Sequence, residues 1–241
     1  MVQAPESTPS PANPSAATLP ADAPLALFGG TFDPVHYGHL RVAADTAHAL
    51  KLPEVRLIPS KKPVHRDATT ATAAQRLAML NLAVEEFPGL HADACELHRE
   101  SPSYTVFTLE AFRAQFPAKP LLWLIGVDAF LGIQRWYEWP RLFDLAHFVV
   151  LNRPGYAVAN ALSASLAEVW NGRLTRDPAM LAAGTHGHIY LHTVAPQPIS
   201  ATEIRNTIAS GASDEVLLPL LPATVLAYIR SHRLYSAPKS A

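Results

Sequence analysis

One stretch near the start of the chain, residues 25–40, sets most of the limits on the fold. It opens with four consecutive apolar residues, which is typical of a parallel strand covered on both faces. Gly29 and Gly30 follow, and without a Cβ atom they can adopt positive φ and let a ligand approach the main chain. Asp33 and Pro34 then mark a turn, after which apolar residues return at helical spacing. The stretch predicts a strand, a glycine turn and a helix.

Two histidines, His36 and His39, lie three positions apart at the predicted start of that helix. On a helix this spacing places both imidazoles on one face, at the end where unpaired N–H groups and the helix dipole favour an anion. Each half of the pattern has another interpretation. A glycine turn after a strand is common in α/β folds, and a His-x-x-His pair could bind a metal. A closed zinc site takes four ligands, however, and the adjoining helical turn contains no carboxylate. We therefore expect a phosphate site.

Composition and charge restrict the class of protein. The chain has 241 residues, enough for a full core, and a formal net charge of −1, which gives no electrostatic case for nucleic acid. We expect small-molecule partners instead. The single cysteine, Cys95, is expected to be buried and cannot form an internal disulfide, which favours a cytoplasmic location. The longest apolar run, residues 121–127, is far shorter than the roughly 20 residues of a membrane span. The sequence does not indicate an oligomeric state.

The order of elements predicts the fold class. Residues 1–24 contain six prolines and almost no large apolar side chains, so we expect a disordered tail followed by one domain over residues 25–236. Within that domain, predicted strands alternate with predicted helices. The strands are expected at residues 25–28, 55–59, 91–97, 121–125, 147–151 and 188–194. This alternation predicts a doubly wound, Rossmann-like parallel sheet with helices on both faces, and it gathers the strand ends on one rim.

Two loops carry basic and hydroxyl side chains toward that rim. The loop after the second predicted strand contains Lys61, His65 and Arg66, at the position where ligands bind in open α/β sheets. A solvated charged loop would contain the same residues. Ser103 and Thr105 come just before or at the start of a later helix, where helix capping would account for either of them.

The fourth predicted strand is followed by a second group of candidates. Gly126 permits close ligand approach, and the carboxylate of Asp128 suits ribose hydroxyls. Trp136 and Tyr137 come next. Aromatic residues so close together more often belong to a core, but a flat ring beside a nucleotide cleft can also stack on a base or a pyridine ring.

A second motif lies at residues 199–205. Ser200 and Glu203 form a capping-box pattern that marks the start of a helix without any ligand. That pattern does not account for Thr202 and Arg205. Both should lie near the first turn, where free N–H groups and a guanidinium can bind phosphate oxygens.

These motifs together resemble a known superfamily. Gly-Gly-Thr-Phe-Asp-Pro-x-His-x-Gly-His resembles the signature of the HxGH nucleotidyltransferases, with residues 36–39 as the tetrad, and residues 199–205 resemble its Ile-Ser-x-Thr-x-Ile-Arg motif. The basic loop, Ser-Tyr-Thr, Ile-Gly-x-Asp and Trp-Tyr are similar to the nicotinate-nucleotide adenylyltransferase branch. The chain departs from that branch at Val64, where a proline usually stands. The likeness covers residues 25–236.

The resemblance implies adenylyl transfer from ATP to nicotinic acid mononucleotide, giving deamido-NAD and pyrophosphate in NAD biosynthesis. It implies Mg²⁺ bound through the ATP phosphates and no metal site made by protein side chains. The catalytic residues would be His36, His39 and Arg205. The residues that bind ATP or its phosphates would be Gly29, Gly30, Thr31, Phe32, Gly126, Asp128, Ser200 and Thr202. The residues that bind the nicotinate nucleotide would be His65, Arg66, Ser103, Thr105, Trp136 and Tyr137.

Two alternatives stay open at this point. The same tetrad occurs in relatives that act on pantetheine phosphate or FMN or that transfer a cytidylyl group, and a non-catalytic nucleotide-binding module could keep the fold. The chain shows no serine or cysteine nucleophile with a plausible base, which suits direct attack by an acceptor phosphate. Every nucleotidyl-transfer interpretation requires that Arg205 meet His36 and His39 in space, although they are about 170 positions apart.

Overall fold

The computed structural model describes residues 23–62 and 69–236. A single seven-stranded sheet lies at the centre, in the order β3-β2-β1-β4-β5-β7-β6, and every pairing in it is parallel. The strands are β1 (Leu25–Gly30), β2 (Val55–Pro59), β3 (Leu90–Ala92), β4 (Leu121–Gly126), β5 (His147–Asn152), β6 (Leu174–Thr175) and β7 (Ile189–Thr193). The predicted doubly wound parallel sheet is confirmed.

Ten α-helices and three short 3₁₀ helices connect the strands in the described part of the chain. The α-helices are α1 (Tyr37–Ala49), α2 (Ala73–Val84), α3 (Cys95–His98), α4 (Thr105–Gln115), α5 (Val127–Leu131), α6 (Ala164–Arg173), α7 (Met180–Ala183), α8 (Ala201–Ala209), α9 (Asp214–Leu217) and α10 (Ala223–Ser231). The 3₁₀ helices are Ile133–Arg135, Trp139–Asp144 and Val158–Ala161. Among these described residues, none of the helices combines the length and apolarity that crossing a membrane requires.

The sheet has a hydrophobic core on each face. Successive side chains of a strand point to opposite faces, so Ala26 and Leu124 belong to one core while Leu27 and Trp123 belong to the other. The first core packs under α1, α2, α8 and α10, and the second under α4, α5 and α6. Both faces of the central strands are therefore covered, which explains why these strands appear in the sequence as uninterrupted apolar runs.

The strand order reverses between β1 and β4. The chain moves outward from β1 to β2 and β3 in one direction, then returns to β4 beside β1 and moves outward on the other side. In open parallel sheets, ligands bind in the crevice outside the carboxyl ends of the strands at such a switch point. The loops that leave Gly30 and Gly126 border this crevice.

Several element predictions need correction. The third strand ends at Ala92, not Leu97, because the Asp93 carboxylate accepts a hydrogen bond from the Cys95 N–H at 2.9 Å, a turn that leads into α3. Helix α2 ends at Val84, whereas the apolar period predicts residue 87. Strand β6, of two residues, has no detectable sequence pattern. The predicted tail lies outside the described residues except for residues 23 and 24.

Candidate functional site

The first strand ends in two glycines, and neighbouring aromatic side chains leave no space for a larger residue at either position. A Cβ atom on Gly29 would lie 2.6 Å from the Trp123 ring, and one on Gly30 would lie 2.8 Å from the Phe32 ring. The expectation of positive φ at these glycines is wrong, because both are regular residues of β1. The positive φ of 50° occurs instead at Phe32, a residue type that rarely adopts it. The glycines let two aromatic rings pack against the end of the strand.

His36 and His39 are brought together at the start of α1. The spacing predicts both histidines on the helix, but His36 precedes it as the N-cap residue, with extended backbone. His39 lies in the first turn. The rings nevertheless stack, with centroids 3.7 Å apart, and the His39 ring also meets Phe32 edge-on at 5.0 Å. A Cβ atom on Gly38 would lie 2.9 Å from the His36 ring, so the glycine of the tetrad gives that imidazole its space.

His36 is neutral near pH 7. Its side chain belongs to a residue that is only 5% exposed, and burial lowers its pKa from 6.5 to about 4. Its buried Nδ1 atom has no hydrogen-bond partner among the described residues. A neutral imidazole still offers one N–H donor and one acceptor, so His36 can contact a phosphate oxygen without carrying a charge of its own.

Arg205 lies against the loop that leads to these histidines. Its Nη1 donates to the Asp33 carbonyl oxygen at 2.7 Å, across 172 positions of sequence, and its Nη2 donates to Thr202 Oγ1 at 3.2 Å. Helix α8, which carries it, has Ser200 as its N-cap residue, whose hydroxyl accepts the Glu203 N–H at 3.2 Å. The guanidinium and the two imidazoles therefore converge on one segment, as the nucleotidyl-transfer interpretation requires.

A cavity of about 410 Å³ opens at the switch point beside this segment. Of the predicted ligand residues, those that line it are Gly29, Gly30, Thr31, Thr105, Gly126, Asp128 and Trp136. Phe32 is buried behind Gly30. Outside the lining are the predicted catalytic residues and four predicted ligand residues: His36, His39, Arg205, Ser103, Tyr137, Ser200 and Thr202. A second cavity, of about 500 Å³, lies near the amino end of β7, around Arg173 and His188, and contains no predicted site residue.

Asp128 and Tyr137 are already engaged by other side chains. Arg153 Nη2 contacts both carboxylate oxygens of Asp128, at 3.0 and 2.8 Å, on the open surface. Tyr137 is 47% exposed and stacks on Tyr104 with centroids 4.8 Å apart. The adjacent aromatic residues thus separate, with Trp136 on the cavity and Tyr137 on the outer surface.

Ser103 does not cap α4. The N-cap residue is Tyr104, without a side-chain cap, and Thr105 is the first residue of the helix. The Ser103 hydroxyl accepts hydrogen bonds from the main-chain N–H groups of Lys61 at 2.9 Å and Lys62 at 3.4 Å. Ser103 therefore fastens the loop after β2. His65 and Arg66, which that loop carries, lie outside the described residues.

Arg76, on α2, is a site residue that the sequence reasoning missed. It is fully buried, and its guanidinium donates to the carbonyl oxygens of Thr31 and Ser60, each at 2.6 Å. Longer contacts reach the carbonyls of Lys61 and Ala71, both at 3.4 Å. One side chain thus joins the loops that follow β1 and β2. The sequence does place this arginine on the inner side of an amphipathic helix. Because a buried arginine is rare unless its N–H groups are hydrogen-bonded, that position could have identified it.

Asp33 joins further segments to the same place. Its carboxylate accepts N–H groups of Thr70 at 2.9 Å and Ala71 at 3.2 Å, and the hydroxyl of Tyr235 at 2.6 Å. Burial and the adjacent carboxylate raise the pKa of Tyr235, so this hydroxyl stays protonated and donates. The segment after β2 and the segment after α10 are both tied to the loop before the histidines.

Glu96 is a second residue that the sequence reasoning missed. It is 5% exposed and lines the cavity. Thr108 Oγ1 donates to its Oε1 at 2.6 Å, while its buried Oε2 has no partner among the described residues.

Comparisons with known proteins identify the family of the chain. A family model described as cytidylyltransferase-like matches residues 27–207. A protein of Aeromonas salmonicida named probable nicotinate-nucleotide adenylyltransferase is 43% identical over 215 residues, covering 89% of this chain and 98% of its own. One of Xylella fastidiosa with the same name is 44% identical over 214 residues, covering 87% and 95%.

A solved structure shares the fold at low sequence identity. The Plasmodium falciparum nicotinic acid mononucleotide adenylyltransferase complexed with NaAD superposes with a TM-score of 0.67 at 16% identity, covering 88% of this chain and 97% of that chain. At this identity the superposition shows a common fold, and it agrees with the parallel sheet described above.

Proposed function

The chain belongs to the cytidylyltransferase-like family and, within it, to the nicotinate-nucleotide adenylyltransferases, and we propose that it transfers the adenylyl group of ATP to nicotinic acid mononucleotide. The products would be deamido-NAD and pyrophosphate, in NAD biosynthesis. The observation that carries the proposal is the convergence of Arg205 with the stacked His36 and His39 beside a cavity at the switch point.

The geometry suits direct transfer between the two substrates. A phosphate oxygen of the mononucleotide would attack the α-phosphorus of ATP, the bond from that phosphorus to the bridging oxygen would break, and pyrophosphate would leave. Such a reaction needs alignment of the reactants and stabilisation of charge, with no protein nucleophile. Imidazole N–H groups and a guanidinium supply both.

The residues near the start of α1 would form the phosphate site. His36 and His39 would donate to the triphosphate at the start of α1, where the positive end of the helix dipole also favours an anion. Arg205 uses two of its five donors on Asp33 and Thr202, and the remaining donors would bind the phosphates. Thr31 and Thr202, with Gly29, Gly30, Phe32 and Ser200 shaping the surrounding backbone, would complete the phosphate site.

The remaining roles fall on the two sides of the cavity. Gly126 and Asp128 would border the ATP ribose. To accept a ribose hydroxyl, the Asp128 carboxylate must give up its contact with Arg153 or keep it on one oxygen only. Trp136 and Thr105 would border the nicotinate nucleotide. Tyr137 would support this side from outside, as would Ser103 by holding the loop with His65 and Arg66.

Mg²⁺ would enter with ATP. In the part of the chain that the structure describes, no group of three histidine, cysteine or acidic side chains could hold a metal ion. The described residues therefore do not form a cage for Mg²⁺, which commonly binds through substrate phosphates and keeps several of its waters. We assign no step of the reaction to it.

Pyrophosphate release in the steady state tests the proposed function. The purified chain is supplied with ATP and, in turn, nicotinic acid mononucleotide, nicotinamide mononucleotide, phosphopantetheine and FMN, with CTP in place of ATP as a further arm. We expect nicotinic acid mononucleotide with ATP to give the highest kcat/KM. Higher turnover of another acceptor would assign the chain to a different activity, and the absence of turnover with every pair would favour a non-catalytic nucleotide-binding module.

A further inference from the structure

Glu96 places a carboxylate in the wall of the substrate cavity. The residue lies on α3, is 5% exposed, and lines the cavity together with Thr105 and Ile58. Its position is held from α4, because Thr108 Oγ1 donates to its Oε1 at 2.6 Å. Arg99 Nη2 in turn donates to the same threonine oxygen at 3.2 Å. The carboxylate is therefore fixed on one side and unoccupied on the other.

The other oxygen, Oε2, is buried and has no hydrogen-bond partner among the described residues. None of the ion pairs found in the described residues involves Glu96. A buried carboxylate oxygen without a donor is costly, and buried polar groups are nearly always paired. Because Glu96 lines the cavity, a donor from a ligand seated there would satisfy this oxygen.

The chemistry of the substrates limits which donor that can be. This step rests on the proposed function. The phosphate and the nicotinate carboxylate of the mononucleotide are anionic and would be repelled by Glu96. Its ribose hydroxyls are neutral donors, and a carboxylate accepts them well.

The reaction has two riboses, one in ATP and one in the mononucleotide, and the position of Glu96 in the sheet selects between them. Glu96 lies on the side of β2, because α3 packs on that strand, whereas Asp128 follows β4. The order β2-β1-β4 puts the two acidic residues on opposite sides of the glycine strand end. They are the two carboxylates that line the cavity among the described residues. We propose that Glu96 Oε2 accepts a hydroxyl of the mononucleotide ribose and makes the enzyme select ribonucleotide over deoxyribonucleotide acceptors.

The test compares nicotinic acid mononucleotide with its 2′-deoxy and 3′-deoxy analogues, by kcat/KM and by calorimetric affinity. Hydrogen bonds to charged groups contribute about 1.5–3 kcal/mol, so wild-type protein should prefer the ribonucleotide to one of the analogues by about 10- to 100-fold. Glu96→Met, which keeps the volume and removes the acceptor, should reduce this preference to within about threefold. Glu96→Gln, a neutral acceptor of the same shape, should give an intermediate preference.

Thr108→Val is the matched control. It removes the hydroxyl that holds Oε1 but leaves the carboxylate in the wall, so it should lower stability and keep most of the preference. The preference for ATP over 2′-deoxy-ATP should be the same in wild type and Glu96→Met. If Glu96→Met loses the preference for ATP over 2′-deoxy-ATP and keeps the preference for the ribonucleotide acceptor, the assignment of Glu96 to the mononucleotide ribose is overturned.

Wild-type protein alone can also overturn the inference, whether or not the variants fold. Equal use of nicotinic acid mononucleotide and both deoxy analogues would exclude a hydroxyl contact at Glu96 while leaving the proposed function intact. If another acceptor is turned over instead, the proposed function fails, and the deoxy analogues of that acceptor test Glu96 in the same way.

Discussion

The two imidazoles of the tetrad have different surroundings although they stack on each other. His36 is buried and caps the helix, and burial lowers its pKa to about 4. His39 is half-buried in the first turn, against Phe32. Because a bound triphosphate would favour the charged form of a neighbouring imidazole, substrate binding should raise the pKa of His36.

Substitution of His39 tests the catalytic role proposed for the pair. His39→Ala should lower kcat by about 10²–10³-fold, the effect of losing one preorganised donor in the transition state. It also removes ring contacts with Phe32 and His36, which should lower the free energy of unfolding by about 1 kcal/mol. Steady-state kinetics and urea denaturation measure the two effects. His48→Ala, an exposed position on the same helix, is the control. Wild-type turnover by the His39 variant would exclude the residue from the reaction.

His147 is a histidine with a purely structural role. Its Nε2 donates to the Gly184 carbonyl at 2.9 Å and its Nδ1 accepts the His188 N–H at 3.1 Å, an arrangement that only the neutral ring can make. Burial is the main cause that lowers its pKa to about 4. The unfolded chain binds this proton below pH about 6.5, so its contribution to stability is present above that pH and is lost as pH falls toward 4.

The pH dependence of unfolding should show this contribution. The free energy of unfolding of wild-type protein should fall between pH 6.5 and pH 4, and His147→Gln should be less stable at pH 7 with a shallower fall. Urea denaturation across that range measures both quantities. His48→Gln, at an exposed position on α1, controls for the loss of a histidine. Parallel curves for wild type and His147→Gln would show that His147 does not set the slope.

At the scale of elements, two buried charged side chains fasten the loops that shape the site. Arg76 on α2 binds carbonyl oxygens after β1 and after β2, and Asp33 binds main-chain N–H groups just before α2. These contacts satisfy polar groups that loops cannot pair within a sheet. They also set where each loop starts relative to the histidines, so a change at either residue should reach the catalytic geometry.

Arg76→Gln tests this coupling. The shorter neutral side chain cannot reach both carbonyls, so we expect a loss of about 2–4 kcal/mol in the free energy of unfolding. Displacement of the loop after β1 should also lower kcat/KM by about 10²-fold. Arg76→Lys should recover part of both. Arg176→Gln, at an exposed position, controls for the lost charge. A variant as active and stable as wild type would mean that the loops hold their positions without this guanidinium.

At the scale of the whole molecule, the residues described between 23 and 236 contain two cores, one on each face of the sheet. The core residues found there begin at Leu25. The composition of the preceding segment, rich in proline and poor in large apolar residues, predicts that it adds nothing to either core.

Deletion of residues 1–22 should therefore leave the melting temperature within about 1 °C and kcat/KM within about twofold of the full chain. In a domain of this size a loss of about 1 kcal/mol in stability lowers Tm by about 2–4 °C, so packing of the segment on the domain would be detected. Differential scanning calorimetry and the pyrophosphate assay measure the two. A marked fall in Tm would mean that the segment packs on the domain. A fall in kcat/KM alone would mean that it takes part in substrate binding.

The sequence predicted the elements best where the local signal was strong. Strands β1, β2, β4 and β5 are mostly apolar and were predicted within one or two residues. The strand at residues 91–97 was wrong because one side-chain hydrogen bond from Asp93 ends it early. The positive φ assigned to Gly29 and Gly30 was wrong because the reason for those glycines is the distant Trp123 ring, together with Phe32.

The local pattern of residues by itself determined the parallel α/β fold, the glycine strand end with its histidine pair, and the second motif at residues 199–205. These follow from periodicity and from motifs confined to a few neighbouring positions. Only the tertiary structure decided that Arg205 meets the loop before the histidines, that Arg76 and Asp33 fasten the surrounding loops, and that Glu96 faces the cavity. Such contacts join residues far apart in the chain, and the fold must bring them together before burial and hydrogen bonding can give any of them a role.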